Sequence, residues 1–190
     1  MVWLTGLGLV MGLLMVFALV GLVFYQGIVT FWPGPVIEVT DSAGRTALGE
    51  VTRTDDFVPE PSLLEGLSPR DRAAADAEMA AGDGELKRRL FRTGNFELTG
   101  EHFRWVEDFR IPEGGEDRPE WALLFERLTW GRFYGVATGF VEDGNLVAND
   151  PAVAWKLFRD HHEGEETPEG LAMRVRTSDG REVDLPLREI

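Results

Sequence analysis

The chain has 190 residues, and its 19 Lys and Arg stand against 33 Asp and Glu, for a net charge of −14. That length holds one domain, or a domain with an anchor. With only two lysines, Lys87 and Lys156, and a strongly acidic balance, it lacks the basic patch that phosphate-backbone contacts require, which excludes nucleic acid as a partner. Cysteine is absent, so disulfide scaffolds, thiolate nucleophiles and Cys-ligated zinc are excluded too, while the redox compartment stays open.

The first charged residue is Glu38, and Trp3 to Tyr25 is apolar or Gly at every position except Thr5. As a helix, those residues reach roughly 34 Å at about 1.5 Å each, matching a hydrocarbon core of about 30 Å. A cleaved signal peptide needs a basic start, a shorter apolar core and a small-residue cleavage site, and none of these is found here. The reading is a retained transmembrane helix within residues 1–30, followed by a domain over 31–190. Trp3 at one end and Phe24, Tyr25, Phe31 and Trp32 at the other suit the headgroup level. Gly8 and Gly12 form a single G-x-x-x-G, a weak signal for helix packing. With no basic residue in the amino-terminal tail, charge does not orient the helix.

Phe31-Trp32-Pro33-Gly34-Pro35 ends the membrane segment, because proline cannot continue a helix. Val36 to Thr40, a turn at Asp41-Ser42-Ala43-Gly44, and Arg45 to Thr54 read as a β-hairpin, broken by Pro59 and Pro61. Ser68-Pro69-Arg70-Asp71 is a helix start, and the helix runs to Ala81 before Gly82-Asp83-Gly84. A second short helix is predicted over Glu85 to Arg92, ending at Thr93-Gly94-Asn95. Phe103 to Phe109 alternates partially, and Trp121 to Arg127 fits a strand or a short helix. Phe133 to Val141 leads through a Glu142-Asp143-Gly144-Asn145 turn to Leu146-Val147. Asp150-Pro151 opens a helix carrying Trp155 and Phe158 on one face. Glu163 to Glu169 is an acidic loop, and Met173 to Leu187 is a last hairpin turning at Ser178-Asp179-Gly180. The fold class is α+β: one transmembrane helix, then a β-hairpin-rich domain with two or three short helices. The last hairpin shares a strand, Gly-Arg turn and strand layout with the first, which ordinary hairpin chemistry explains more simply than an internal repeat. Ending at Leu187-Arg188-Glu189-Ile190, the chain is read either as a fragment of something longer or as a module that stands alone.

Chemistry-bearing patterns are thin. His161-His162 are adjacent and point to different helix faces, so a solvated helix end is preferred over a metal site; His102 lies among aromatics as a packed or surface residue. No nucleophile elbow, phosphate loop, H-E-x-x-H or G-x-G-x-x-G is present. No catalytic, cofactor-binding or metal-ligating residue is assigned, no cofactor is implied, and an enzyme is disfavoured; a tethered hydrolase would need a carboxylate pair in a cleft. Phe103-Arg104-Trp105 and Trp130-Gly131-Arg132-Phe133-Tyr134-Gly135 interleave arginine with large rings. Two readings compete: an anion clamp at Arg104 and Arg132, or a core built from Trp105, Trp130, Phe133 and Tyr134 with the arginines as exposed stems. Core packing is preferred.

Three blocks carry a resemblance. Arg92-Thr93-Gly94-Asn95 through Phe103-Arg104-Trp105 is similar to the "TGN…(D/H)FRW" block of long PstA-type phosphate ABC transporter permeases. Glu126-Arg127-Leu128-Thr129-Trp130-Gly131-Arg132-Phe133-Tyr134-Gly135 resembles their "ER…WG.FYG" block, and Phe31-Trp32-Pro33 their "FWP". The resemblance implies the amino-terminal module of such a permease, with phosphate import as the process and the cytoplasmic (inner) membrane as the location. It implies the domain on the extracytoplasmic, periplasmic side, and as partners the other permease subunit, the ATPase subunit and the phosphate-binding protein. The charge of −14 repels free phosphate, so the expected role is docking or scaffolding. A stand-alone anchored binding or sensor module is the alternative.

Overall fold

A computed structural model of the chain describes residues 2–31, 34–162 and 169–190. Two compact units divide at Gly34. The first is helix α1 (Val2–Phe31), whose segment Gly6–Val29 has a mean hydropathy of 2.8 and is long and apolar enough to cross a membrane. It runs six residues past the predicted end at Tyr25, because Gln26 and Gly27 are tolerated inside an otherwise apolar helix. Trp32, Pro33 and most of the acidic run from Glu163 fall outside the described residues.

The second unit is α+β, as expected. Strands β1 (Val36–Thr40) and β2 (Thr46–Phe57) form the first hairpin. Helices α2 (Pro61–Glu65) and α3 (Pro69–Ala81) follow, and the Ser68 hydroxyl caps α3 by accepting from the Asp71 N–H at 3.1 Å. Next come β3 (Leu86–Arg92), the short α4 (Phe96–Thr99), β4 (Phe103–Glu107) and β5 (Glu116–Asp117). These strands make one antiparallel sheet in the order β4-β3-β2-β1-β5.

The segment Glu85 to Arg92 is therefore a strand and not the predicted helix. Leu, Lys and Arg are good helix formers, but β3 is held between β2 and β4, where Arg88 meets Asp55 at 3.0 Å and Arg89 meets Asp108 at 2.7 Å. Partners remote in sequence override local propensity here.

The other sheet runs β10-β9-β7-β6 with β8 on β7, built from β6 (Ala122–Arg127), β7 (Gly131–Glu142), β8 (Asn145–Ala148), β9 (Leu171–Arg176) and β10 (Glu182–Pro186). The ambiguous stretch after Trp121 is thus a strand. Asp143 and Gly144 both have positive φ, as a tight two-residue hairpin turn requires. Helix α5 (Pro151–His162) packs Ala154 and Phe158 against this sheet, over a core that includes Phe125, Phe133, Phe140, Met173 and Val175. Separate small cores lie at Ile37, Val39, Ala47, Phe91 and Val106, and at Ala75, Leu86 and Phe109 beneath α3.

Candidate functional site

The two sheets meet at a seam made by two of the quoted sequence blocks. Gly94 bridges to Phe133, joining the end of β3 to β7. Asn95, in the left-handed region at φ 53°, donates its side-chain amide to the Tyr134 carbonyl and accepts from the Tyr134 N–H, both at 2.8 Å. Gly94 itself has φ 54°, and a Cβ there would lie 2.5 Å from the Arg132 carbonyl and 2.9 Å from the Tyr134 ring. Gly49 is equally constrained, since its Cβ would fall 2.1 Å from the Arg92 carbonyl. Only glycine lets the backbones approach this closely.

Beneath the seam lies a buried carboxylate. Glu50 accepts from the Tyr134 hydroxyl at 2.8 Å, and Arg132 and Arg92 approach the same oxygen at 3.5 and 4.0 Å. Its other oxygen, Oε1, is buried with no hydrogen-bond partner among the described residues. Burial, and then the Glu50 carboxylate, push the Tyr134 phenol well above the ordinary tyrosine range. The nearby Arg127–Glu97 ion pair ties the β6–β7 turn to α4, and there burial pushes the Glu97 carboxyl up while Arg127 and a main-chain hydrogen bond together outweigh it and hold it below its usual value.

A groove of about 950 Å³ opens between β1, the start of β2, β4 and the β9–β10 turn. Its charges are matched within the domain. Arg176 forks onto Glu38 at 2.8 and 3.0 Å, Arg45 reaches Asp41 at 2.7 Å, and Arg104 reaches Glu101 at 3.2 Å. Arg110 lies 3.1 Å from Glu107 as an ion pair without hydrogen-bond alignment. Asp179 is paired with Arg181, whose guanidinium leads in lowering it to about 2. At Asp41, burial pushes the carboxyl up, but the Arg45 main chain and guanidinium outweigh it and hold the value down.

Of the aromatic residues predicted for the core, Phe133 and Tyr134 are fully buried. Trp105 is half-buried under the Arg88 guanidinium, 4.3 Å from its ring. Trp130 departs from the expectation: it is 55% exposed, because it sits in the turn between β6 and β7 and not in a strand. Arg104 and Arg132 are half-exposed and do not converge: Arg104 lines the groove, while Arg132 pairs with Glu126 and Glu50. The anion-clamp geometry is therefore not formed.

His102 stacks on Phe96 at 4.6 Å, and His161 uses Nδ1 at 2.8 Å from the Leu157 carbonyl. Among the described residues, no three His, Asp or Glu side chains gather as a metal site. The buried Glu50 was missed by sequence reasoning, and no local signal marks it: its partner Tyr134 is 84 residues away. Comparison with family models, with curated proteins and with solved structures gives no match to this chain.

Proposed function

We propose that the chain is a membrane-anchored docking module and serves as the amino-terminal part of a phosphate ABC transporter permease subunit. In this reading the domain after residue 30 is extracytoplasmic, and the protein takes part in phosphate import across the cytoplasmic membrane without catalysis of its own. The observation that carries the docking role is the groove's closed set of ion pairs: each of its arginines already holds a carboxylate. A surface of mixed, internally matched charge suits a protein partner and does not concentrate a free anion. Phosphate selectivity then belongs to the binding protein and the pore. The transporter assignment is supported by the three quoted blocks.

The test is affinity capture of the tagged gene product from solubilised membranes, paired with phosphate uptake after residues 35–190 are deleted in frame. Recovery of an ABC ATPase and a second permease subunit, with impaired uptake, is expected. An intact membrane-embedded chain that brings down neither subunit and leaves uptake unchanged would refute the transporter reading. A second reading, a stand-alone anchored binding or sensor module, draws on the groove volume of about 950 Å³, which is roomy enough for a small ligand.

A further inference from the structure

Strand β4 is an outer strand: it pairs with β3 on one side and with no strand on the other. The ladder shows which of its main-chain groups face outward. The Thr93 N–H donates to the His102 carbonyl at 3.0 Å, so His102 turns its main chain toward β3. In an antiparallel pair every second residue does the same, which turns Arg104 and Val106 inward, opposite Phe91 and Arg89. The Thr52 hydroxyl agrees, since it reaches the Leu90 carbonyl at 3.1 Å; Leu90, opposite Trp105, points that carbonyl at β2 and not at β4. Phe103, Trp105 and Glu107 are left with N–H groups aimed away from the sheet, and these have no partner among the described residues.

That edge opens into the groove, which Arg104, Trp105, Val106 and Glu107 all line. Consecutive strand residues alternate between faces, so a groove that reaches four in a row runs along the strand's edge. Across from β4 stand β1, the start of β2 and the β9–β10 turn, and Val39, Ala47 and Val106 give the groove apolar lining from one cluster. Outer strands are normally blunted by shortness, charge, proline or a bulge. Strand β5 has two residues, and β10 carries Glu182, Asp184 and Pro186. Strand β4 has five residues in unbroken register and no proline. Its protection is the recess.

We infer that the groove receives its partner as an extended peptide segment, which adds a strand to the open edge of β4. The proposal rests on the docking reading of the groove and is independent of the transporter assignment and of the membrane anchor. Main-chain bonds to Phe103, Trp105 and Glu107 hold the segment, and its alternate side chains select it. The groove's arginines already hold carboxylates, so the segment is low in net charge, with apolar residues at the alternate positions that meet Val39, Ala47 and Val106. A loose segment suits the recess better than the edge of a second folded sheet, because β1 and the β9–β10 turn stand across from β4.

Glu107 offers a substitution confined to that edge. Its φ of −78° lies in proline's range, and Val106 before it is extended, as proline requires. Glu107→Pro removes one outward donor; Glu107→Ala removes the same side chain, with its Arg110 ion pair, and keeps the donor. Seven-residue peptides with alternate positions fixed as Val or Leu are selected from a displayed library against the full chain in detergent micelles. The tightest binders, synthesised with a fluorophore, are the probes.

Fluorescence anisotropy is expected to show Glu107→Pro binding the probes about tenfold more weakly than Glu107→Ala, at a similar melting temperature. N-methylation of alternate peptide amides should abolish binding in one phase and spare it in the other, a readout that decides alone if the proline variant melts early. Ser178→Trp, which fills the groove from the β9–β10 turn, should block binding. Probes blocked by Ser178→Trp but indifferent to Glu107→Pro and to the phase of N-methylation overturn the proposal and keep the docking reading. A selection that yields no binder, or only binders that ignore Ser178→Trp, overturns both the proposal and the groove's docking role.

Discussion

Asn95→Ala is the sharpest test of how the two sheets are held together. The Asn95 side chain closes both main-chain polar groups of the fully buried Tyr134 at 2.8 Å. Truncation to alanine removes those partners, and each buried polar group so exposed to an apolar setting costs about 1–3 kcal/mol. Alanine must also occupy φ 53°, which adds about 1 kcal/mol over a residue at ease in the left-handed region. Together these give about 3–7 kcal/mol, much of the stability of an ordinary domain.

Urea denaturation of the full chain, followed by tryptophan fluorescence, measures the change. Asn95→Gly separates the two contributions, because it loses the same hydrogen bonds but fits the backbone, and it should be less destabilised than Asn95→Ala by about 1 kcal/mol. An Asn95→Ala chain within about 0.5 kcal/mol of the parent, the range of ordinary surface changes, would refute the seam as a structural lock.

Three other outcomes follow from the same geometry. Tyr134→Phe strips Glu50 of its 2.8 Å donor and should cost about 1–3 kcal/mol; in a Tyr25→Phe background the remaining phenol should ionise only as the chain unfolds above about pH 10, because a raised folded value means stability falls as pH climbs past the unfolded one. Asp41, Glu97 and Asp179 are all lowered by their arginines, so their contribution is fully present above about pH 5 and should be lost as pH falls through 4 toward 2, read as a declining melting temperature that high salt flattens. Arg104→Ala should cost below about 1 kcal/mol, and phosphate should raise the melting temperature no more than chloride at equal ionic strength; a phosphate-specific rise abolished by Arg104→Ala would restore the anion clamp.

Turn chemistry was the most legible feature of this sequence. Ser68-Pro69 capped a helix where expected, and Asp143-Gly144 turned a hairpin, because those signals act within four residues. Strand β3 was illegible for the opposite reason. Its Leu-Lys-Arg-Arg core favours a helix in isolation, and the carboxylates that hold it extended lie in β2 and after β4. Trp130 misled because a ring flanked by Arg132 and Phe133 looks like strand alternation, while Gly131, at φ 71°, marks a turn. The groove was also hidden, since its two Arg–carboxylate walls come from β1 and β9, and Glu38 and Arg176 are 138 residues apart.

The burial of Glu50 carries the argument one step further. A carboxylate with one oxygen unpartnered is a costly thing to hold between two sheets. It is tolerated because Tyr134 and two arginines converge on its other oxygen, and they come from both sheets. An apolar residue in its place would pack as well, but would accept many registers of the seam. The carboxylate accepts only the one that brings Tyr134 and Arg132 to it, and that register fixes the position of the β6–β7 turn, with Leu128 and Trp130. The tightly packed glycines and the buried charge of the seam thus set a surface and do not themselves form a site. On this argument Glu50→Leu alone strands the buried Tyr134 hydroxyl and should cost about 1–3 kcal/mol. Glu50→Leu with Tyr134→Phe should instead leave the fold nearly as stable while loosening the turn, so that a spin label at Leu128→Cys loses order even where the melting temperature is unchanged.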